Sequence, residues 1–398
     1  MSHLFPFSKN NPAPNIKNID ATTTYGFTDN GRDILDLGLG SSGCFPLGFK
    51  RTDIIQAVAD KLKDSPFCQS DFATTNTAVN ELSSKLYHLS GGYDVIYSMS
   101  GSDAIEGAIK LAKMYNPSRS EIIGFRNSYH GSTYMSASVS GSTYLTDTFG
   151  KHPDCVIMQD MDDISDNTLA VIIETCSWQA GLIPQTDVFW KTLRARCTQH
   201  GVLLIIDDIA FCNGKTGTYF GWQVTGIEPD IFCIGKGITG GYHPLSATLM
   251  NQKVATRVRP QILLHGFAYS FPMSGIHSAL EFLNVIEKEH VLKNHTIVVD
   301  RMKRVGDELA KMNLIKGYRN FGVCFNLLLN SPIDDLWDKE QIFYKHGLHI
   351  GVWNNYKDGI LVMVPLDAAD EYFVSLVTKL IGVFTELNDK TNGQGQPG

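Results

Sequence analysis

Between residues 94 and 250, short runs of β-branched and other apolar residues alternate with stretches whose apolar positions recur at helical spacing. Such alternation predicts an α/β fold built from βαβ units around a mostly parallel sheet. The predicted strands are residues 95–97, 122–125, 170–173, 202–206, 231–234 and 246–249. A sheet of this kind offers the carboxyl ends of its strands as a ligand site.

The pattern changes after residue 280. Residues 280–311 have helical apolar spacing and a higher charge density, and the apolar runs 323–328 and 360–364 predict strands of a smaller α+β unit that ends in a helix over 370–387. We therefore predict four parts. They are an N-terminal segment that joins the small domain (1–45), a large domain (46–280), a small α+β domain (281–387) and a polar, Gly-rich tail that we expect to be mobile (388–398).

Composition narrows the class of protein. The chain has 398 residues, 43% of them hydrophobic, and its formal charge of -7 gives no general attraction to nucleic acid or anionic membranes. The eight cysteines are scattered without metal-ligand spacing, residues 1–18 lack the features of a signal peptide, and no run approaches the roughly 20 apolar residues of a membrane span. We expect a cytoplasmic protein with reduced thiols and with no metal, nucleic-acid or membrane partner.

Residues 98–103 (SMSGSD) follow a predicted strand and open a helix with apolar positions at 104, 105, 108, 109 and 112. Ser100 and Asp103 have the spacing of a capping box. Small residues allow an anion to approach the backbone, and the free N–H groups and dipole of a helix N-terminus favour a phosphate there. For this segment alone, an ordinary capped helix is the simpler interpretation.

The run 202–206 is apolar enough to be a buried strand, and two carboxylates, Asp207 and Asp208, follow it. Buried charge is costly without a partner. An aspartate at such a strand end can hold a protonated ring nitrogen and so keep a pyridinium cofactor electron-poor. A helix N-cap or a surface pair explains the segment at least as well when it is considered alone.

A single lysine, Lys236, ends the next apolar run and lies between Gly235 and Gly237. A lysine in this position is partly desolvated, which lowers the pKa of its amine and makes the amine nucleophilic toward carbonyl groups. Most lysines are solvated surface groups, but the flanking sequence weakens that explanation here.

Taken in order along the chain, these segments resemble one family, the class III aminotransferases among the fold-type I pyridoxal-phosphate enzymes. The most specific blocks are residues 100–106 (SGSDAIE), 129–133 (YHGST), 206–210 (IDDIA) with 214–217 (GKTG), and 229–247 around Lys236. The resemblance covers residues 30–387. It implies a large domain with a mostly parallel central sheet, a smaller α+β domain, pyridoxal 5'-phosphate as cofactor, and a homodimer with active sites at the interface.

Carried over residue by residue, the resemblance makes Lys236 the Schiff-base lysine and proton shuttle, and Asp207 the partner of the pyridine nitrogen. Gly101 and Ser102 match the phosphate cup, and Tyr129 matches the aromatic side chain that stacks on the cofactor ring. It implies a ping-pong exchange in which Lys236 is general acid and base. The predicted cofactor site also includes His130, Glu174, Ile209 and Ser270.

Within the class, residues 208–210 and 229–241 are most similar to the diaminopelargonic acid aminotransferases of biotin synthesis, as is the segment that contains Trp353. Those enzymes have an arginine for the substrate carboxylate two residues after the tryptophan, where this chain has Asn355. An amide cannot replace a guanidinium as a charged fork. We therefore predict Trp353 and Asn355 as substrate residues, with the carboxylate either missing from the substrate or bound elsewhere.

A second departure concerns the phosphate. Ala268 stands where the family usually has a threonine whose hydroxyl binds the phosphate of the neighbouring subunit's cofactor, and the loop is one residue shorter. Ser270 is the candidate replacement, or else the phosphate is bound more weakly.

The leading hypothesis is an aminotransferase that acts on an amine or ω-amino donor and a carbonyl acceptor. A glutamate-1-semialdehyde-type aminomutase, which keeps one substrate, and a catalytically silent binding protein are the alternatives, although Lys236 and Asp207 together favour an enzyme. The segment 38–43 (GLGSSG) satisfies GxGxxG, but Pro46 interrupts the region where a helix is required, so a nicotinamide dehydrogenase is disfavoured.

Overall fold

The computed structural model describes residues 19–69, 74–351 and 356–393. Before residue 94, the described residues form three short strands and two α-helices. They are β1 (Ala21–Thr22), β2 (Gly26–Asp29), β3 (Arg32–Asp36), α1 (Thr52–Asp64) and α2 (Thr77–Ser90).

From residue 94 to residue 288, the chain forms strands with helices between many of them. The elements are β4 (Asp94–Ser98), α3 (Gly101–Tyr115), β5 (Glu121–Gly124), α4 (Tyr134–Val139), β6 (Cys155–Ile157), β7 (Thr168–Glu174), α5 (Asp187–Gln199), β8 (Leu203–Asp207), β9 (Ile231–Ile234), β10 (Ser246–Met250), α6 (Gln252–Val258) and α7 (Met273–Lys288). All six strands predicted for this region are present. The short strand β6 was missed, because three residues carry too little periodicity to be recognised.

The last third of the chain begins with a long helix, which is followed by short strands and two further helices. Its elements are α8 (Val291–Lys311), β11 (Gly317–Phe321), β12 (Cys324–Leu328), α9 (Leu336–Lys345), β13 (Leu348–His349), β14 (Gly359–Met363) and α10 (Asp370–Gly393). The strands predicted at 323–328 and 360–364 are confirmed as β12 and β14.

The helix α10 extends six residues beyond the predicted helix end at residue 387. Tertiary hydrogen bonds explain the difference. Asn388 donates to the carbonyl of Leu314 at 3.3 Å and accepts from Asn330 at 3.3 Å. These partners are distant in sequence, and a polar composition alone does not reveal them.

A seven-stranded sheet is the largest in the structure, with the order β4-β10-β9-β8-β7-β5-β6. Strand β10 is antiparallel to both neighbours, and the pairs from β9 to β6 are parallel, which confirms a mostly parallel sheet. Strands β7 and β8 are buried at every residue, as expected where helices cover both faces.

The sheet buries alternate side chains in two separate apolar clusters. Leu203 and Ile205 of β8 pack with α3 on one face, while Leu204 and Ile206 pack on the other face with residues of α2, α5 and α7. Alternation with a period of two explains why consecutive residues of one strand serve both clusters. The helix α3 contributes small side chains, among them Ala104 and Ala108, which bring its axis close to the sheet.

Two smaller sheets complete the fold. One is antiparallel with the order β11-β12-β14, and the other has the order β1-β2-β3-β13, in which β13 is parallel to β3. The second sheet joins residues near the N-terminus to residues 348–349, which supports the proposed division with an N-terminal segment that belongs to the small domain.

The cysteines form no disulfide bonds. All eight cysteines are free thiols, and every one except the half-exposed Cys44 is buried. Across the described ranges, no helix combines the length and the apolar character that crossing a bilayer requires.

Asp230 lies just before β9, at the sheet edge that is opposite the predicted site. It forms hydrogen bonds with both β8 and α5. Its carboxylate accepts from the backbone N–H of Leu204 at 2.9 Å and from Arg194 of α5 at 2.8 Å. Burial alone raises the pKa of this carboxyl, but the charge of Arg194 and the N–H of Leu204 outweigh it and hold the pKa below its ordinary value.

We predict that Asp230→Ala lowers the free energy of unfolding by about 3 kcal/mol, because it leaves the guanidinium of Arg194 and a buried N–H without their acceptor. Asp300→Ala is the matched control, since Asp300 forms an exposed pair with Lys303 at 3.6 Å and should cost less than about 0.5 kcal/mol. Urea unfolding followed by circular dichroism measures both. Equal losses would contradict the role given to Asp230.

Candidate active site

The carboxyl ends of β4, β7, β8 and β9 and the first residue of β10 meet at one edge of the large sheet, around a cavity of about 200 Å³. Eight of the eleven predicted site residues line this cavity. They are Gly101, Ser102, Tyr129, His130, Glu174, Asp207, Ile209 and Lys236. The fold therefore brings together residues that are up to 135 positions apart in the chain, and their individual roles remain predictions.

Lys236 lies immediately after β9, where it begins a short 3-10 helix (Lys236–Thr239). Its backbone has φ +47°, in the left-handed region that non-glycine residues rarely adopt and that often marks a functional position. Burial lowers the pKa of its amine, and the nearby charge of Lys215 lowers the pKa further. This shift enlarges the neutral fraction of the amine, which is the form that attacks carbonyl carbons.

Asp207 is the last residue of β8 and is only 4% exposed. Its Oδ2 accepts from Nδ1 of His130 at 2.8 Å, and its Oδ1 accepts from the backbone N–H of Ile209 at 3.1 Å. The Nε2 of His130 is buried and has no hydrogen-bond partner among the described residues. Two donors thus fix the orientation of the Asp207 carboxylate, and each oxygen keeps a second lone pair for another donor.

Glu174 ends β7 beside Asp207, because the strand register pairs these two residues. Burial raises the pKa of the Glu174 carboxyl well above its ordinary value, and the negative charge of Asp207 raises it further. Its Oε2 accepts from the backbone N–H of Tyr129 at 3.3 Å. Both effects favour the protonated form of Glu174.

Small residues leave room at the N-terminus of α3. A Cβ atom at Gly101 would lie 2.9 Å from Ile209, and a Cβ at Gly131 would lie 2.4 Å from the hydroxyl of Ser102. Ser100 accepts from the N–H of Asp103, and the Asp103 side chain accepts in return from the N–H of Ser100, so the predicted capping box is confirmed. The hydroxyl of Ser102 and the first amides of the helix form a cradle for an anion.

Three predicted residues are not in this cavity as the structure describes it. Ser270 lies outside the lining, and its hydroxyl both accepts from the N–H of Phe267 and donates to the Phe267 carbonyl, each at 2.8 Å. A contact with a neighbouring subunit therefore stays a prediction. Trp353 and Asn355 lie outside the described residues.

The cavity also contains residues that sequence reasoning did not assign to it. Ser42 belongs to the segment 38–43, for which the sequence disfavours a dinucleotide site. That segment forms a π-helical turn (Leu39–Gly43), and the next α-helix starts only at Thr52, as the rejection of a dinucleotide site required. The additional lining residues are Ser42, Gly131, Trp178, Gln179 and Ala210.

The cavity thus contains a strand-end lysine with a lowered pKa and an oriented aspartate, at the edge of a mostly parallel sheet. The family model described as aminotransferase class-III matches residues 9–384. The chain therefore belongs to the class-III aminotransferases, which confirms the family and the enzyme class predicted from its motifs.

Curated relatives agree with this family. The chain is 32% identical over 277 residues to an acetylornithine aminotransferase of Vibrio parahaemolyticus, a match that covers 66% of this chain and 67% of that protein. It is 33% identical over 275 residues to an acetylornithine/succinyldiaminopimelate aminotransferase of Buchnera aphidicola, covering 65% of this chain and 66% of the relative.

Solved structures share the fold. An amine transaminase from an uncultivated Pseudomonas species, in its PLP-bound form, has a TM-score of 0.88 at 23% identity and covers 97% of this chain and 99% of its own. A transaminase from the marine bacterium Virgibacillus has a TM-score of 0.90 at 19% identity, with 98% of both chains covered. The predicted fold-type I architecture is confirmed. Class-III aminotransferases use pyridoxal 5'-phosphate, so the predicted cofactor is confirmed at the level of the family.

The residues present fit this cofactor. The amine of Lys236 suits its aldehyde, the carboxylate of Asp207 suits a protonated ring nitrogen, and the cradle at Gly101 and Ser102 suits a phosphate. The ring of Tyr129 lines the same cavity, and burial raises the pKa of its hydroxyl to about 12, so it stays neutral.

We predict that Gly131→Ala weakens the retention of pyridoxal phosphate at least about tenfold, because the added Cβ would clash with the hydroxyl of Ser102. Gly150→Ala is the control. Both glycines have positive φ, +128° and +79° respectively, but a Cβ at Gly150 would meet no atom within 4 Å. Both variants place a side chain at a strained backbone position. Only Gly131→Ala also fills space in the cradle. The visible absorbance of the cofactor, followed during dialysis, measures retention.

Proposed function

We propose that this chain is a pyridoxal-phosphate-dependent aminotransferase that exchanges an amino group between an amine or ω-amino donor and a carbonyl acceptor by a ping-pong sequence. The observation that carries the proposal is the position of Lys236. Its buried amine opens onto the same cavity as the carboxylate of Asp207 and the cradle at Ser102. Membership of the class-III family supports it independently.

The cofactor, when bound, supplies an aldehyde for amine exchange and an electron-withdrawing ring that stabilises negative charge at the reacting carbon. The protein supplies orientation and proton transfer. Lys236 would hold the aldehyde end, and Asp207, itself oriented by His130, would hold the ring nitrogen in its protonated state. The first turn of α3 would hold the phosphate.

The chemistry requires a proton to leave the amine-bearing carbon of the donor. The Nζ of Lys236, whose pKa is lowered by burial, accepts this proton and later releases it as a general acid. The raised pKa of Glu174 limits the second negative charge that would draw a proton back onto the amine.

Family membership and the lining of the cavity support the proposed donor class. The two curated relatives described above are named for acetylornithine and succinyldiaminopimelate, and we extend to this chain only the common feature of an amino group that is transferred from a larger substrate. Trp178 and Gln179 form one wall of the cavity, and the Gln179 amide is held by Ser142 and Tyr144. This wall suits a substrate with both apolar and polar parts.

Diaminopelargonic acid aminotransferase remains one candidate member, supported by the motif at residues 229–241 and by the Trp353 segment. The glutamate-1-semialdehyde-type aminomutase and the silent binding protein remain the alternatives. No specific contact in the described site favours either alternative over the aminotransferase.

We also propose a homodimer. The segment before α7 exposes large apolar side chains, with Ile262 at 82% and Leu264 at 76% exposure, close in sequence to Ser270. A second copy of the chain that covers this segment would remove the apolar surface from water and would bring Ser270 near the partner's cofactor.

We predict that borohydride reduction of the holoenzyme abolishes its visible band and leaves the cofactor on the peptide that contains Lys236. Lys236→Ala should lower turnover by at least about 10⁴-fold, because nucleophile and proton carrier are lost together, while the protein stays folded. Lys63→Ala, which removes an exposed lysine, is the control and should keep full activity. A label on another lysine, or near-normal turnover of Lys236→Ala, would refute the assignment.

We predict that single-turnover reaction with an active donor converts the cofactor to pyridoxamine phosphate and releases one equivalent of ketone or aldehyde. A panel that pairs each ω-amino acid with the amine that lacks its carboxylate identifies the donor class. An aminomutase would instead return an isomer of the donor without a free carbonyl product. A silent member would bind donors without changing the spectrum.

A further inference from the structure

A second lysine, Lys215, is completely buried below the cavity and has no part in the chemistry described above. It lies in the loop between β8 and β9, and its Nζ donates to the carbonyl of Ala210 at 3.0 Å. Removing an ammonium group from water is costly unless it is well paired. Over the part of the chain that the structure describes, Lys215 forms no ion pair, so its retention calls for an explanation.

The backbone of Lys215 is held from two sides. Its carbonyl accepts from the N–H of Val323 at 2.9 Å and lies 3.1 Å from Nε2 of His295. Gly322 packs so closely that a Cβ there would lie 1.9 Å from the same oxygen. The main chain therefore has little freedom, and the side chain is directed into the protein toward Ala210, which lines the cavity.

The side chain of Lys215 also lies near the segment that contains Ser42, which lines the cavity. A Cβ at Gly43 would lie 3.4 Å from the Cε of Lys215, and the Gly43 carbonyl lies 3.5 Å from the Cβ position of Gly237, the residue next to Lys236. Gly43 therefore lies close both to the Lys215 side chain and to the backbone beside Lys236.

Several charged and titratable groups lie near the two lysines. Besides burial, Lys215 lowers the pKa of Lys236, whereas Cys44, Asp207 and Glu174 raise it. The charge of Lys215 in turn opposes the effect of burial and lowers the pKa of Asp208, Cys212 and Cys324. Asp208 does not form an ion pair with Lys215, because its two oxygens accept from Thr175 at 2.6 Å and from the N–H of Gly221 at 2.7 Å. Burial raises the pKa of Asp208 to about 7, so it neutralises Lys215 only in part.

We propose that Lys215 is a positioning residue of this active site, a buried cation that keeps the amine of Lys236 in its neutral, reactive form and fixes the cavity wall at Ala210. The proposal rests on the function proposed above. Keeping two like charges close together in a low-dielectric interior costs free energy. A positive charge on Lys215, which is hydrogen-bonded to the carbonyl of Ala210, makes it easier for Lys236 to give up its proton.

The test compares Lys215→Met with Lys215→Arg. In each purified apoenzyme, the rate of pyridoxal phosphate incorporation is measured against pH through the growth of the visible band. Only the neutral amine of Lys236 reacts, and the ionisations of the cofactor itself are common to all variants. Removing the charge in Lys215→Met should move the profile about one unit toward higher pH and slow incorporation at pH 7 about tenfold. Lys215→Arg should retain the wild-type profile.

Lys339→Met is the matched control. Lys339 is also buried, at 1% exposure, and donates to the carbonyl of Tyr356 at 2.7 Å, so its loss reports the general effect of removing a buried lysine. We expect Lys339→Met to leave the pH profile of incorporation in place, even if it lowers stability.

The outcomes separate this inference from the proposed function. Borohydride label on Lys236 of the wild type, together with an unshifted profile in Lys215→Met, overturns the role of Lys215 alone. Absence of label on Lys236 overturns both. If Lys215→Met does not fold, Lys215→Gln supplies the same comparison with a neutral donor to Ala210. If neither neutral variant folds while Lys215→Arg does, Lys215 serves the fold and the proposal fails.

Discussion

The chemistry of this site depends on keeping the amine of Lys236 and the carboxylate of Asp207 in one cavity without direct pairing. A lysine that forms an ion pair with an aspartate is protonated and unreactive. Within the described residues, Lys236 forms no ion pair, whereas Asp207 is held by His130 and by the N–H of Ile209. These two donors orient the carboxylate toward the cavity and leave the amine with the lowered pKa that burial imposes. The other features of the site are arranged around this separation.

The strand register explains why two acids lie side by side at this edge. Glu174 and Asp207 end neighbouring parallel strands and face each other in the ladder, so the backbone itself fixes their proximity. Burial and the negative charge of Asp207 raise the pKa of Glu174 and so favour its neutral form. The reversed strand β10 adds a polar link to the next strand in the sheet, because the Ser246 hydroxyl donates to the carbonyl of Ser100, one residue before α3. The position of the anion cradle relative to the carboxylates thus follows from pairing in one sheet.

The sequence was most informative where local pattern and chemistry coincide. The apolar runs before Asp207 and Lys236 predict two buried strands, and the parallel topology then places both side chains at one edge. Elements that depend on distant partners were not predictable in this way. The last turns of α10 need the bonds of Asn388 to Leu314 and Asn330. Likewise, Gln179 enters the cavity through a loop after β7, and no local periodicity marks a loop residue as part of a site.

The buried polar groups beneath the cavity illustrate how such an interior is balanced. A buried ion pair is usually no more stable than apolar residues of the same size, so a chain under selection for stability alone has little reason to bury Lys215 or Asp208. Here the two are satisfied separately, the lysine by the carbonyl of Ala210 and the aspartate by Thr175 and Gly221. Direct pairing would offset the charge that we propose for Lys215 near Lys236. The separation of Lys236 from Asp207 thus recurs between Lys215 and Asp208, each of which has its own hydrogen-bond partners.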